Sequence, residues 1–287
     1  MSIRLKKIVV CCIFSFVGLQ SFTQINSPIC KYLNKAAWDS LFPNRYAIST
    51  TRSTYSKEVP QNEFYSYSSF IQAAKRFPDF LKKGTEVQKK RELAAFLASM
   101  AHETSGGWDE APGGYFKWGL YFLEERGCEN GCIHYSDSTK KKMLPVKGQS
   151  YHGRGPLQLS WNYNYAQFSN YYFKDQNKLL RNPSLLSTDP VICFASAFWF
   201  WMTPQYPKPS CHEIMTGIWE PELKDSIAGR LPGFGAVMNV INGGIECGAN
   251  QSPKTAYRLA YYEYFCKYFN VDPGVACDCK SQRPFGQ

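Results

Sequence analysis

The chain has 287 residues, 44% of them hydrophobic and 16% aromatic, enough for a sizeable core in one large domain or two small ones. Its formal net charge of +10 favours anionic surfaces, but the basic residues are too dispersed to argue for nucleic-acid binding. The densest basic run, Lys140-Lys141-Lys142, reads as a solvated loop, and the 19 Tyr, 20 Phe and 7 Trp suit either a filled core or a groove that stacks sugars or bases.

The first element in chain order is a leader. Arg4, Lys6 and Lys7 form a charged region, and Ile8 to Leu19 form an apolar run of signal-peptide length, too short to span a bilayer. Residues 1–24 are therefore read as a secretory signal cut between Ser21 and Gln24, with neither a lipid anchor nor a membrane span expected afterwards. The remainder, 25–287, is read as one domain of a secreted protein, extracellular or periplasmic. Nine cysteines stay with it: Cys30, Cys128, Cys132, Cys193, Cys211, Cys247, Cys266, Cys277 and Cys279. In an exported chain they default to disulfides, and the odd number leaves at least one free or shared with another chain. Cys128 and Cys132 are spaced to close a local loop. The four histidines, His102, His134, His152 and His212, show no zinc-ligand spacing, so no metal is expected.

Residues 25 to about 57 read as a short lead-in. Phe70, Ala73, Ala74 and Phe77 predict a helix over 67–80, and Leu93, Phe96, Leu97 and Met100 predict another over 86–104. Residues 105–152 show no sustained period and read as long loops around a short helix near Leu120 to Arg126; loops of that length in a compact domain are usually functional. Further helices are predicted over 162–173, over the strongly apolar 190–202, over 232–241 and over 253–269. The proline-rich Pro204 to Pro209 ends the third-last of these runs. Strand patterns are scarce, so the class is mainly α, with a loop-built groove.

Two carboxyl groups stand out. Glu103 follows the apolar stripe of its helix and precedes Gly106-Gly107, which reads as an ordinary helix stop or as the edge of a site. Apolar surroundings disfavour the charged form of a carboxyl and suit a general acid. Glu125, in Leu123-Glu124-Glu125-Arg126-Gly127, lies beside a cation among polar loop residues, which suits a carboxylate. Glycosidic hydrolysis needs such a pair in different environments. Tyr151 to Tyr165 then interleaves glycines with Gln158, Ser160 and Asn164 and with aromatic rings, the mixture a sugar groove requires; local capping bonds would use the same residues.

The segments His102-Glu103-Thr104-Ser105-Gly106-Gly107-Trp108, Gly153 to Ser160, Phe198 to Thr203, Asn239 to Gly248 and Ser281 to Phe285, in this order, resemble the family 19 glycoside hydrolases, the plant-type chitinases. The resemblance implies a lysozyme-like, two-lobed helical domain with a long loop-lined substrate cleft, inverting hydrolysis and no cofactor. It implies Glu103 as general acid, Glu125 as general base and Ser160 as the residue that holds the water. His102, Trp118, Gln158, Tyr163, Asn164, Gln205, Lys208 and Asn242 would contact substrate, and Glu246 with Arg258 would form a supporting charge network. The implied partner is chitin or its oligosaccharides, or another cell-wall polysaccharide, with no nucleic acid and no membrane, and the protein is expected to be a monomer. Cys247 and Cys279 are implied to be bridged. Tyr121 stands where the family often has a cysteine, so one usual disulfide is expected to be absent. The Cys128–Cys132 loop is shorter than usual, Met143 lies near the place of a common tryptophan, and no chitin-binding module precedes the domain, so weak attack on crystalline chitin is expected. Two other readings stay open: a peptidoglycan hydrolase, which the lysozyme-like fold also serves, and a carbohydrate-binding protein with a weak or dead site, against which intact Glu103, Glu125 and Ser160 argue.

Overall fold

A computed structural model describes residues 27–46, 48, 63–128, 131–248 and 254–286. The leader and its cleavage point lie outside these residues. The described residues are helical, and their only β-type pairings are isolated bridges: Ile48 with Phe122, Glu124 with Arg154, Arg154 with Leu159, and Gln205 with Lys208.

Helix α1, Lys35–Leu41, lies inside the predicted lead-in and was not anticipated there; Asn34 caps it by accepting the Ala37 N–H. Helix α2, Tyr67–Ala74, is shorter than the predicted 67–80. The chain turns before Pro78, which disfavours helix in the residue ahead of it, yet Phe77 and Phe80 stay buried. Helix α3, Glu86–Glu103, opens on a reciprocal cap in which Thr85 and Gln88 bond each other's backbone N–H. Helix α4 spans Asn162–Phe173, followed by the short α5 (Lys178–Arg181) and α6 (Leu185–Thr188). Helix α7, Pro190–Met202, is capped by Asp189 and buried along almost its whole length, as its unbroken apolar sequence requires. Helices α8 (Cys211–Thr216) and α9 (Leu223–Ile227) lead to α10, Phe234–Glu246, and α11, Lys254–Tyr268. Helix α10 runs beyond the predicted 232–241 because it re-forms after a break at Asn242.

Helix α3 is the central strut, packed against α11 on one side and α8 on another, while α2 packs on α7. Stacked rings fill the core between them: Trp38 on Phe70, Phe70 on Phe198, Phe96 against Phe198 and Trp201. Each such ring contributes roughly 1.5–3 kcal/mol by burial, so the end of α3 is held on a rigid base.

The predicted helix near Leu120–Arg126 is absent. Leu120 has a left-handed backbone, and Phe122 and Glu124 are extended and bridged to Ile48 and Arg154. A short 3-10 turn, Tyr115–Trp118, precedes them instead. The Cys128–Cys132 and Cys247–Cys279 disulfides are both present.

Candidate functional site

Backbone hydrogen bonds tie the end of α3, which carries Glu103, to the extended segment that leads to Glu125. Thr104 follows Glu103, and its carbonyl accepts the N–H groups of Tyr121 and Phe122, while its hydroxyl oxygen accepts the Leu120 N–H. The extended segment then ties to the next loop: the Gly155 N–H bonds Leu123 O, and the Glu125 N–H bonds Gly153 O. Gly106 is essential to this docking for its lack of a side chain, because a Cβ there would lie 2.3 Å from the Tyr121 ring. The glycine pair therefore serves close packing at the helix end and does not form a left-handed cap.

Glu103 does not sit against apolar surface alone. The Arg258 guanidinium, on α11 and fully buried, donates through Nη2 to Glu103 Oε1. The same guanidinium grips Glu246 at two points, Nε to Oε2 at 2.8 Å and Nη2 to Oε1 at 2.7 Å. Asn242 donates to Glu246 Oε1 at 3.1 Å. Burial opposes the charge on Arg258, but Glu103 and Glu246 outweigh it and hold the guanidinium more firmly protonated than usual. Next in the chain, burial pushes the His102 imidazole well below its ordinary value, with Arg258 and Lys254 adding to the effect, so the ring is neutral. Arg258 Nη1 and His102 Nδ1 are buried with no hydrogen-bond partner among the described residues. Buried polar atoms are normally satisfied, so these two stand out.

Glu125 lies in a second cluster. Tyr135 donates to its Oε1 at 2.6 Å, and the Gly153 N–H donates to its Oε2 at 3.1 Å. Sequence proximity suggests Arg126 as the cation beside it, but the Arg126 guanidinium sits over the Phe122 ring, 5.3 Å from its centroid. Gly153 joins this carboxylate to the polar residues of the next loop: a Cβ there would lie 2.8 Å from Gln158 Oε1 and 3.3 Å from Ser160 Oγ. Gln158 holds a left-handed backbone and donates from Nε2 to Gly155 O. Ser160 Oγ donates to Gln158 O at 2.8 Å, which leaves its lone pairs to accept. Asn164 donates to Ser160 O, and its buried Oδ1 has no partner among the described residues. Beneath this loop lies a buried pair, Arg154 Nε to Glu124 Oε1 at 3.0 Å, with Arg154 also bonded to Ser150 O and to the Tyr165 hydroxyl.

The other predicted residues have surroundings of their own. Gln205 and Lys208 close a two-residue turn by exchanging backbone hydrogen bonds, and Lys208 Nζ reaches Val240 O at 2.9 Å, two residues before Asn242. Burial lowers the Lys208 ammonium from its usual range. Tyr163 and Trp118 enter as ring faces. Tyr163 stacks on Trp161 with the Lys140 ammonium 5.5 Å from its centroid, and Trp118 packs with Trp108 and Tyr121. Tyr135, Glu124 and Tyr165 were not singled out by the sequence. A tyrosine ten residues after Glu125 in an aperiodic loop carries no local signal, and Glu124 differs from Glu125 only in the face it presents. Among the described residues no group of three or more His, Cys, Asp or Glu is placed to hold a metal ion.

A family model described as chitinase class I matches residues 48–279. Endochitinase A2 of Pisum sativum is 49% identical over 78% of this chain, which spans 66% of the pea protein's length. An endochitinase of Carica papaya is also 49% identical, over 79% of this chain and 90% of its own. Two solved structures share the fold: chitinase C from Streptomyces griseus HUT6037, at TM-score 0.65 and 28% identity over 86% of this chain and 97% of that one, and a family GH19 class IV chitinase from Zea mays, at 0.61 and 30% over 87% and 98%.

Proposed function

This chain belongs to the class I chitinase family of glycoside hydrolases, and from that premise we propose that it is an exported endochitinase. It hydrolyses β-1,4 links between N-acetylglucosamine units with inversion. Residues 1–24 act as its leader, residues 25–287 as its catalytic domain, and it works as a monomer. Among the described residues no helix is long and apolar enough to cross a membrane.

The observation that carries the mechanism is the unequal treatment of three carboxyls. One guanidinium faces both Glu103 and Glu246. Glu246 takes the two-point contact, is the more buried and receives Asn242, so it is fully engaged inside the fold. Glu103 makes a single contact with that guanidinium and keeps 17% side-chain exposure, so it is the more open of the two carboxyls, and the role of proton donor falls to it. Glu125, held by a phenol and an amide that donate to it, is the acceptor.

In the reaction, the Glu103 proton passes to the glycosidic oxygen as the C1–O bond breaks. Glu125 removes a proton from a water oriented by Ser160, and that oxygen bonds C1 from the opposite face. The product hemiacetal is the α anomer, and the proton gained by Glu125 returns to Glu103 through solvent. Inversion requires the two carboxyls to stand roughly 6.5–9.5 Å apart, with room for the water between them. Gln158, Asn164, Asn242, Gln205 and Lys208 supply planar amides and a cation for hydroxyl and acetamido groups, with His102 beside the acid. Trp118 and Tyr163 supply apolar faces. Glu103→Gln tests the assignment. It removes the transferable proton and keeps the shape, so turnover of chitin hexaose is lost while hexaose still binds. Near-normal turnover in that variant contradicts the role of Glu103.

A further inference from the structure

The turn that carries Gln205 and Lys208 presents its tip to solvent. Tyr206 at its tip is 95% exposed, the highest value among the large apolar and aromatic side chains of the described residues. Its position is fixed from below. Gln205 N–H bonds Lys208 O at 3.0 Å and Lys208 N–H bonds Gln205 O at 2.8 Å, so residues 206 and 207 form the whole tip. Lys208 is anchored on α10 through Val240 O, and the buried Gln205 Nε2 points inward without a partner among the described residues. Pro207 lies beside Gly286, and Ser210, three residues further on, caps α8 in a reciprocal pair with Glu213. Tyr206 stands near Lys224. Lys224 belongs to α9, whose Leu223 and Ile227 are 77% and 65% exposed.

We propose that Tyr206 is an exterior stacking platform for chitin, which takes the sugar face of a polymer chain as it leaves the cleft past Gln205 and Lys208. The inference rests on the chitinase reading above. The occupant is a glycan because the tip is continuous with the two residues assigned to the end of the sugar site. An exposed tyrosine presents a flat apolar ring with a polar edge, and the ring loses little conformational freedom on binding because it has only two side-chain torsions. A braced turn lowers the ordering cost further. A second contact on the same chain raises the effective concentration of substrate at the cleft without altering the chemistry.

The test compares adsorption to insoluble chitin and affinity for soluble hexaose in a Glu103→Gln parent, with and without Tyr206→Ala, and with Tyr206→Phe. The exposed position makes both substitutions compatible with folding. Adsorption to insoluble chitin is expected to fall roughly tenfold with alanine and to persist with phenylalanine, while hexaose affinity falls much less. Equal adsorption by parent and Tyr206→Ala overturns the platform. Hexaose affinity falling in the same proportion as adsorption also overturns it, by placing Tyr206 inside the cleft. A wild-type dimer that Tyr206→Ala dissociates overturns it in favour of self-association. A parent that binds neither form of chitin overturns the chitinase reading itself and the platform with it.

Discussion

Replacing Tyr135 by phenylalanine removes one hydroxyl and little else. Burial raises the Tyr135 phenol above its usual range, and the hydrogen bond and charge of Glu125 raise it further, so the group is a donor throughout the working pH range. Its 2.6 Å bond to Glu125 Oε1 is of the charge-assisted kind, worth about 1.5–3 kcal/mol. If that whole amount orients the base in the transition state, kcat falls about 10- to 150-fold. The Gly153 N–H still holds Oε2 at 3.1 Å, so the expectation is the lower part of the range, roughly 10- to 30-fold. KM should move within about twofold, because the bond orients a base and does not bind ground-state substrate. Initial rates on chitin hexaose, with thermal melts of both proteins, make the measurement. A kcat within a factor of two of wild type, from a folded variant, refutes the claim that Tyr135 positions the base.

The triad makes a prediction about stability. Arg258→Met leaves Glu103 and Glu246 without their shared cation, a loss of about 3–5 kcal/mol for a broken buried pair, equivalent to roughly 6–20 °C in melting temperature for a domain of this size. A drop under about 2 °C in a thermal melt would show that the pair adds nothing net. His102 predicts a pH effect. The ring is held neutral in the fold but takes a proton near pH 6.5 when unfolded. The unfolded chain then binds more protons below that pH, so this contribution to stability is present above pH 6.5 and is lost as the pH falls. His102→Gln should therefore lose less melting temperature than wild type between about pH 7 and pH 5, and parallel curves for the two proteins would contradict the buried neutral imidazole.

Much of the helical frame was legible because its signals are local. The spacing of Leu93, Phe96, Leu97 and Met100 marks α3, and the continuous apolar run after Asp189-Pro190 marks α7; both lie where expected. Helix α1 carries a local signal in its Asn34 cap, but its seven residues are too few for a clear period. Leu120 to Arg126 reads as helical by residue preference, but Thr104, Ile48 and Arg154 take its backbone into bridges, and such partners from distant sequence override a short run's propensity. The same limit applies at the site. The glycine spacing and the amides of residues 151–165 announce a loop of that kind, whereas local sequence places apolar surface beside Glu103, and only the fold brings in Arg258 from 155 residues away. Family resemblance had named Arg258 and Glu246, but not the division of labour in which Glu246 takes two contacts and Glu103 one. Nor does sequence distinguish Glu124, turned inward to Arg154, from Glu125, turned toward Tyr135.

The most direct test of the account follows the anomers released from chitin hexaose by NMR at early times. An acid at Glu103 and a base at Glu125, acting through one water, predict cleavage with the α anomer formed first. First release of the β anomer would contradict the water-activating role of Glu125. Inert hexaose alongside cleavage of bacterial cell walls would contradict the assignment of chitin as substrate.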